Sequence, residues 1–191
     1  MTQPLRIVGV SGSLREPSKT TALVRGLIEE VTAREEVETR LIEVATLGPL
    51  FAGGLRREDV EPEVEDALRA IETADLLIVA SPVYRASFTG LFKHLFDFVG
   101  QYALVGTPVL LAATGGGERH ALILEHQLRP LFGFFQALTL PVGVYASDAD
   151  FAGYELASPD VKPRIDQAVT RSLPLVRQAA AQRVSEYVAT W

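Results

Sequence analysis

The residues of this chain best suited to chemistry lie in one glycine- and serine-rich loop, residues 9–20, with the sequence GVSGSLREPSKT. An apolar run precedes the loop and an amphipathic helical pattern follows it, so the loop joins a buried strand to a helix N-terminus. Backbone amides and the helix dipole can hold a phosphate at such a place. The candidate ligands are hydroxyl groups and one guanidinium: Ser11, Ser13, Ser18, Thr20 and Arg15.

Glycine placement separates the kinds of phosphate site that this loop can form. A Walker A loop requires G-x-x-x-x-G-K-[ST], but Ser18 precedes Lys19 and Ser13 stands where the first glycine belongs. A Rossmann dinucleotide turn requires three glycines, and only Gly9 and Gly12 are present. The hydroxyls and Arg15 suit a terminal phosphate monoester, such as that of flavin mononucleotide (FMN). The alternative is an ordinary strand-to-helix loop in which Ser18 caps the helix.

Other catalytic arrangements do not fit the sequence. A Ser-His-Asp hydrolase requires G-x-S-x-G, and the segment around Ser11 lacks its final glycine. The three histidines, His94, His120 and His126, have no metal-ligand spacing, and there are no cysteines. We therefore expect no bound metal and no catalytic triad.

Composition predicts one domain, residues 1–191. The chain has 191 residues, 48% of them hydrophobic, which is enough for one well-packed core and short for two. The formal net charge of -6 does not support nucleic-acid binding. The N-terminus resembles no targeting leader and no apolar run approaches ~18 residues, so we expect a cytoplasmic protein without a membrane segment.

Strand and helix patterns alternate along the chain, which predicts a doubly wound α/β fold. We expect a five-stranded parallel sheet in the flavodoxin-like order 2-1-3-4-5, with helices on both faces and ligands at the carboxyl ends of the strands. Loops are expected over residues 46–62 and 148–160. The predicted strands are residues 5–11, 37–44, 75–80, 108–114 and 140–146. The predicted helices are residues 18–33, 61–73, a segment bearing Leu91 to Val99, 118–137, and a helix or bent pair over 162–188.

Pro130 interrupts the predicted helix over residues 118–137. Its ring collides with the carbonyl of His126, four residues earlier, and it donates no hydrogen bond there, so the helix must kink or widen near His126. Widened turns are frequent at functional sites. The aromatic side chains of Phe132, Phe134 and Phe135 are too dense for one solvated face and favour core or subunit packing, so we expect a homodimer or homotetramer.

Three segments at the strand ends together resemble a known family. These are Gly12-Ser13-Leu14-Arg15 with Ser18 and Thr20, then Ser81-Pro82-Val83-Tyr84 with residues 86–90, then Thr114-Gly115-Gly116. In that order they resemble the NAD(P)H-dependent FMN reductases, specifically those supplying reduced flavin to two-component alkanesulfonate and methanesulfonate monooxygenases. The resemblance covers nearly the whole chain, up to the last helix.

The resemblance implies NAD(P)H-dependent reduction of FMN by hydride transfer, with NADPH or NADH as donor and a flavin-dependent monooxygenase as partner. It also implies that His126 stands where related reductases carry an insertion residue linked to flavin exchange. The implied ligands of the FMN phosphate are Ser13, Arg15, Ser18 and Thr20. Those implied to line the flavin ring and ribityl chain are Pro82, Val83, Tyr84 and Arg85, and those implied at the pyrimidine end are Thr114, Gly115 and Gly116. Ser11 and Leu14 are further cofactor-binding candidates.

Two alternatives stay open from the sequence. A flavodoxin-like electron carrier or redox sensor would hold FMN tightly, and a quinone or azo reductase would use the same fold and hydride chemistry. The sequence leaves undecided whether FMN is released or retained, whether NADH or NADPH is preferred, which monooxygenase is the partner, and whether the assembly is a dimer or a tetramer.

Overall fold

The computed structural model describes residues 4–182. Eight strands are found in this range: β1 (Leu5–Ser11), β2 (Val37–Glu43), β3 (Leu76–Pro82), β4 (Pro108–Gly115), β5 (Leu138–Thr139), β6 (Val144–Ser147), β7 (Phe151–Ala152) and β8 (Glu155–Leu156). The α-helices are α1 (Lys19–Thr32), α2 (Val44–Leu47), α3 (Pro62–Thr73), α4 (Gly90–Asp97), α5 (Arg129–Phe134) and α6 (Val161–Ala181).

The main sheet has the order β2-β1-β3-β4-β5, and every pairing in it is parallel, which confirms the predicted flavodoxin-like order. β6 lies beside β4 on the same edge as β5. Sequential strands of a parallel sheet require crossover helices, and the helices here cover both faces. β2 is an edge strand of the sheet, and three of its seven residues, Glu38, Thr39 and Arg40, are exposed.

The two faces of the sheet carry separate hydrophobic cores. Val8 and Val10 of β1 point to the face covered by α3 and α4, whereas Ile7 points to the face covered by α1 and α6. Gly9 shares the α1 face, where an added Cβ would lie 2.6 Å from Val24. This glycine lets α1 pack directly on the sheet.

The prediction of one fifth strand over residues 140–146 is wrong. Two short pieces, β5 and β6, take its place along β4, separated by Leu140 to Gly143. Pro141 cannot donate a ladder hydrogen bond. Gly143 approaches β4 so closely that a Cβ would lie 2.9 Å from the Leu111 carbonyl oxygen. Backbone chemistry therefore breaks the strand although the apolar pattern continues.

Both predicted loops contain regular structure. The segment over residues 46–62 includes the end of α2 and 3₁₀ turns at Gly48–Leu50 and Arg57–Asp59. Phe51 of this segment is buried in the core, whereas Leu55 is 89% exposed. The segment over residues 148–160 forms a 3₁₀ turn and the antiparallel β7–β8 hairpin.

The C-terminal helix is one element rather than a pair, since α6 runs through Pro174 to Ala181. The predicted continuation of this helix to residue 188 lies outside the described residues. Within residues 4–182, no helix has the length and apolarity needed to cross a membrane.

The helix predicted over residues 118–137 is irregular, as Pro130 requires. A 3₁₀ turn at Glu118–His120 is followed by a π-helical turn at Leu124–Leu128 and then by α5. The widened turn includes His126, which confirms the prediction at that position. Phe132 and Phe135 are buried in the core, whereas Phe134 is 62% exposed.

One ion-pair network fastens the 46–62 segment to the rest of the fold. The Arg57 guanidinium donates to the carboxylates of Glu65 and Glu72 of α3, and to the Phe98 carbonyl. Glu72 also accepts a hydrogen bond from the Gly100 backbone amide. Hydrogen bonds from Arg57, and then from Arg69, lower the pKa of Glu65 to about 2.

Because the folded-state pKa of Glu65 lies below its ordinary value of 4.5, its stabilisation is present above pH 4.5 and lost as the pH falls toward 2. We predict that Arg57→Ala lowers the free energy of unfolding at pH 7 by about 1–2 kcal/mol. The difference in the free energy of unfolding between Arg57→Ala and the wild type should be smaller at pH 3 than at pH 7. Urea unfolding at the two pH values measures it.

Arg56→Ala is the matched control, because Arg56 pairs with exposed carboxylates of Glu58 and Asp59. Its cost should be under about 0.5 kcal/mol. If Arg57→Ala and Arg56→Ala lowered the free energy of unfolding equally at pH 7, the Arg57 network would contribute no more to stability than an exposed ion pair, which would contradict the prediction.

Candidate functional site

A cavity of about 400 Å³ opens where β1, β3, β4 and β6 end, and we refer to it as the strand-end cavity. The parallel register brings the carboxyl ends of these strands to one edge of the sheet. The cavity is lined by Ser13, Arg15, Pro17, Ser18, Lys19, Thr20, Pro82, Val83, Tyr84, Thr114, Gly115, Gly116, Asp148 and Tyr154.

Most of the residues singled out from the sequence line this cavity, but Ser11, Leu14 and Arg85 do not. Ser11 is fully buried, and its hydroxyl is hydrogen-bonded to that of Thr21 at 2.8 Å. Leu14 is 39% exposed. Arg85 is exposed and has a left-handed backbone (φ 51°) in the turn closed by Tyr84. Ser11 is the last residue of β1, and Leu14 and Arg85 lie in the segments after β1 and β3, but none of the three lines the cavity.

The loop before α1 is fixed at both of its ends. Gly12 donates its amide to the Ala80 carbonyl at 2.7 Å and accepts from the Thr89 hydroxyl at 2.7 Å. A Cβ on Gly12 would lie 2.7 Å from the Phe92 ring, so only glycine fits there. At the other end, the Ser18 hydroxyl accepts from the Thr21 amide at 3.2 Å and caps α1. Ser18 therefore has the capping role that the alternative interpretation gives it, and it also lines the cavity.

A pair of buried hydroxyls forms part of the cavity wall. Thr20 of α1 and Thr114 of β4 are hydrogen-bonded at 2.6 Å, and each is at most 5% exposed. A hydroxyl has one proton, so whichever donates in this bond leaves the other's proton able to donate to a ligand. The pair also joins the helix N-terminus to β4.

The ends of β3 and β4 and the turns after them also line the cavity. The Val83 amide donates to the Thr114 carbonyl at 2.8 Å, which holds the two turns side by side. A Cβ on Gly115 would lie 2.5 Å from the Tyr145 hydroxyl, which donates to the Gly117 carbonyl at 2.7 Å. Burial, and then the nearby carboxylate of Glu118, raise the pKa of Tyr145. The glycine at position 115 is thus required by Tyr145 packing.

Sequence reasoning missed four lining residues: Pro17, Lys19, Asp148 and Tyr154. Lys19 stood out only as the end of a failed Walker motif, and its ammonium group lies 2.7 Å from the Asp148 carboxylate. Asp148 directly follows β6, so its position at a strand end was the available signal. Tyr154 comes from the β7–β8 hairpin, in a segment predicted as a plain loop.

His126 is exposed on the π-helical turn and does not line the cavity. Its neighbour Gln127 accepts a hydrogen bond at 3.0 Å from Ser87, in the turn that carries Tyr84. The widened helix is therefore connected to one cavity wall. Across residues 4–182, no group of three or more histidine, aspartate or glutamate residues could hold a metal ion.

Known proteins resemble this chain over most of its length. A family model described as NADPH-dependent FMN reductase matches residues 5–152. The NADH-dependent FMN reductase SfnF of Pseudomonas fluorescens is 53% identical over 175 residues, which cover 92% of this chain and 94% of that protein. An FMN reductase (NADPH) of Pseudomonas aeruginosa is 52% identical, with the same coverage of each chain.

Among solved structures, an oxidoreductase from Corynebacterium diphtheriae superposes with a TM-score of 0.80 at 32% sequence identity. The alignment covers 93% of this chain and 99% of that one. The fold and the arrangement of its strand ends are therefore shared with a known oxidoreductase.

The cap at Ser18 can be tested by stability. We predict that Ser18→Ala lowers the free energy of unfolding by about 1 kcal/mol, because the Thr21 amide loses its acceptor. Ser18→Asp should preserve most of the stability, since a carboxylate accepts the same bond and complements the helix dipole. Urea unfolding gives the free energy of unfolding of each variant. Equal decreases for Ser18→Ala and Ser18→Asp would show that Ser18 does not cap α1.

Proposed function

This chain belongs to the NADPH-dependent FMN reductase family, and from that premise we propose that the strand-end cavity is its FMN site. The chain is an NAD(P)H-dependent FMN reductase. The observation that carries the proposal is the convergence of three loops, separated along the chain, on one cavity at the carboxyl ends of parallel strands. In doubly wound sheets ligands bind at this place.

The donors among the lining residues suit the FMN phosphate. Arg15 supplies positive charge, and Ser13, Ser18 and Thr20 supply hydroxyls beside the N-terminus of α1. The first amides of a helix have no intrahelical acceptor and, with the helix dipole, favour an anion. A phosphate monoester needs several donors from several directions, and this set provides them.

Other lining residues suit a flat ring. Pro82, Val83 and Tyr84 offer apolar surface, and Gly115 and Gly116 leave backbone accessible because they carry no side chain. A Cβ on Gly116 would meet nothing closer than the Asp148 carboxylate, at 3.7 Å, so the space beside this glycine is open for a ligand. The residues present therefore fit both the phosphate and the ring of FMN.

The protein's contribution to the reaction is positioning. When bound, FMN supplies a ring that accepts a hydride from the reduced nicotinamide. The lining residues would hold the phosphate and the ring of FMN, and Tyr84, which is 39% exposed, lies at the border between the cavity and solvent. Holding the flavin in a fixed orientation lowers the entropic part of the activation barrier for its reaction with the nicotinamide. The transfer requires no protein acid or base.

The further steps of the proposal concern what happens to the reduced flavin. We propose that the reduced flavin is released, in the cytoplasm, to a partner flavin-dependent monooxygenase of the sulfonate type. We also propose that His126 acts in flavin exchange. The hydrogen bond between Ser87 and Gln127 supports this role, because it connects the π-helical turn to the cavity wall. Exposed Leu122, Phe134 and Leu138 support a homodimer or homotetramer.

We predict that the purified protein oxidises NADH or NADPH in proportion to added free FMN until the flavin site saturates. Steady-state absorbance at the nicotinamide band, with both donors compared, measures this. Negligible turnover with free FMN, together with rapid turnover of a quinone by permanently bound flavin, would overturn release of reduced flavin and favour a quinone reductase.

A second prediction tests the phosphate end of the cavity. Arg15→Ala should raise the FMN dissociation constant about tenfold or more, because a charge-assisted contact contributes ~1.5–3 kcal/mol. Flavin fluorescence titration measures it. Arg85→Ala is the control, since it removes the same charge from a position outside the cavity lining and should leave FMN affinity nearly unchanged. Equal effects of the two variants would remove Arg15 from the site.

A further inference from the structure

The strand-end cavity contains an ion pair that the preceding account does not use. The Lys19 ammonium, at the first residue of α1, lies 2.7 Å from the carboxylate of Asp148, just after β6. Both residues line the cavity. The Lys19 ammonium also lies 5.6 Å from the centre of the Phe151 ring. A carboxylate inside an anion site is unfavourable for a phosphate, so its presence calls for a physical explanation.

The two cations that line the cavity differ in whether a carboxylate neutralises them. Within residues 4–182, Arg15 has no carboxylate partner, whereas Lys19 is neutralised by Asp148. Before a phosphate enters, the cavity thus offers one free cation and one paired cation. A phosphate dianion that takes both must separate Lys19 from Asp148 and leave the carboxylate nearby.

We propose that Lys19 is a second phosphate-binding cation for FMN and that Asp148 competes for it, which limits FMN affinity and keeps the flavin exchangeable. This inference rests on the proposed FMN site. It assigns to two residues a property that distinguishes a reductase releasing its flavin from a carrier retaining it.

The surroundings of the pair allow this exchange of partners. The Asp148 side chain is 63% exposed, so water can solvate its carboxylate when Lys19 leaves. Exposed ion pairs contribute little to stability, so their separation is inexpensive. The Lys19 side chain is 29% exposed and has a flexible stem, which allows its ammonium to reorient.

Asp148 stays at the cavity border whether or not Lys19 is paired with it. The neighbouring Asp150 is buried and accepts from the Ser147 amide at 2.8 Å. The Arg164 guanidinium donates to the same Asp150 side chain at 2.6 Å. These bonds fix the backbone on either side of Asp148 independently of Lys19. The carboxylate therefore remains as a negative charge beside a bound phosphate.

The test is FMN and riboflavin binding to Asp148→Asn and Lys19→Met, measured by flavin fluorescence, with FMN release followed by stopped flow. Asp148→Asn should tighten FMN about three- to tenfold and slow its release, because it frees Lys19 and removes a like charge. Lys19→Met should weaken FMN about fivefold or more. Riboflavin has no phosphate, so its affinity should change much less in either variant.

The pair formed by Arg40 and Asp66 is the matched control. It has the same 2.7 Å separation and a carboxylate that is 69% exposed, but neither residue lines the strand-end cavity. Asp66→Asn changes the net charge by the same amount as Asp148→Asn and should leave FMN affinity unchanged. Asp148→Ser provides a second replacement of the carboxylate should the asparagine variant fold poorly.

The double variant Lys19→Met/Asp148→Asn should bind FMN more tightly than Lys19→Met alone, because the uncompensated carboxylate is gone. If folded Asp148→Asn and Asp148→Ser bind FMN as the wild type does, or more weakly, the competition is overturned. If Arg15→Ala leaves the FMN affinity unchanged, and the wild type binds FMN and riboflavin with equal affinity, the FMN site itself is overturned.

Discussion

The parallel register of the central sheet is the constraint on which the site depends. Ser11, Ala80 and Ala112 stand side by side across β1, β3 and β4, and Gly115 pairs with Ser147 of β6. Because all four strands run in the same direction, the loops that follow them emerge at one edge. Packing makes this arrangement tight, since the Gly12 amide bonds to Ala80 and the Phe92 ring fills the place of a side chain at Gly12. The cavity is thus a consequence of strand direction and close packing.

The cavity combines polar groups that are already satisfied with groups that remain available. Ser18 caps α1, and Thr20 bonds to Thr114, so these hydroxyls contribute to folding before any ligand arrives. No buried side-chain nitrogen or oxygen of the described residues lacks a hydrogen-bond partner. A site built in this way is preorganised, because its donors are held by the fold. Arg15 is exposed and unpaired within the described residues, which leaves it able to bind an anion.

The irregular helix after β4 shows how one residue shapes the region beside the site. Pro130 removes a backbone donor and widens the turn containing His126, while Phe132 anchors the following α5 in the core. The widened turn contacts the turn that carries Tyr84 through the hydrogen bond between Gln127 and Ser87. The irregular backbone therefore lies between a packed core and a turn that contributes Tyr84 to the cavity.

The sequence by itself determined the elements whose signals are local. Apolar periodicity placed the buried strands and amphipathic helices, Pro130 placed the widened turn, and the missing glycines at positions 13 and 18 excluded a Walker loop. The order 2-1-3-4-5 was predicted from the alternation of strands and helices. Local chemistry also explains the failure at residues 140–146, where Pro141 and a close backbone approach at Gly143 break a strand that hydrophobicity alone favours.

Only the tertiary structure decided which candidates face the cavity. Ser11 and Leu14 belong to the same loop motif as Ser13 and Arg15, yet the direction of each side chain depends on neighbours distant in sequence. Lys19 and Asp148 are 129 positions apart, and nothing in the sequence around either residue specifies the other. Their contact arises because α1 begins, and β6 ends, at the same edge of the sheet. Periodicity specifies elements, but the pairing of charges across them is fixed only when the sheet brings their ends together.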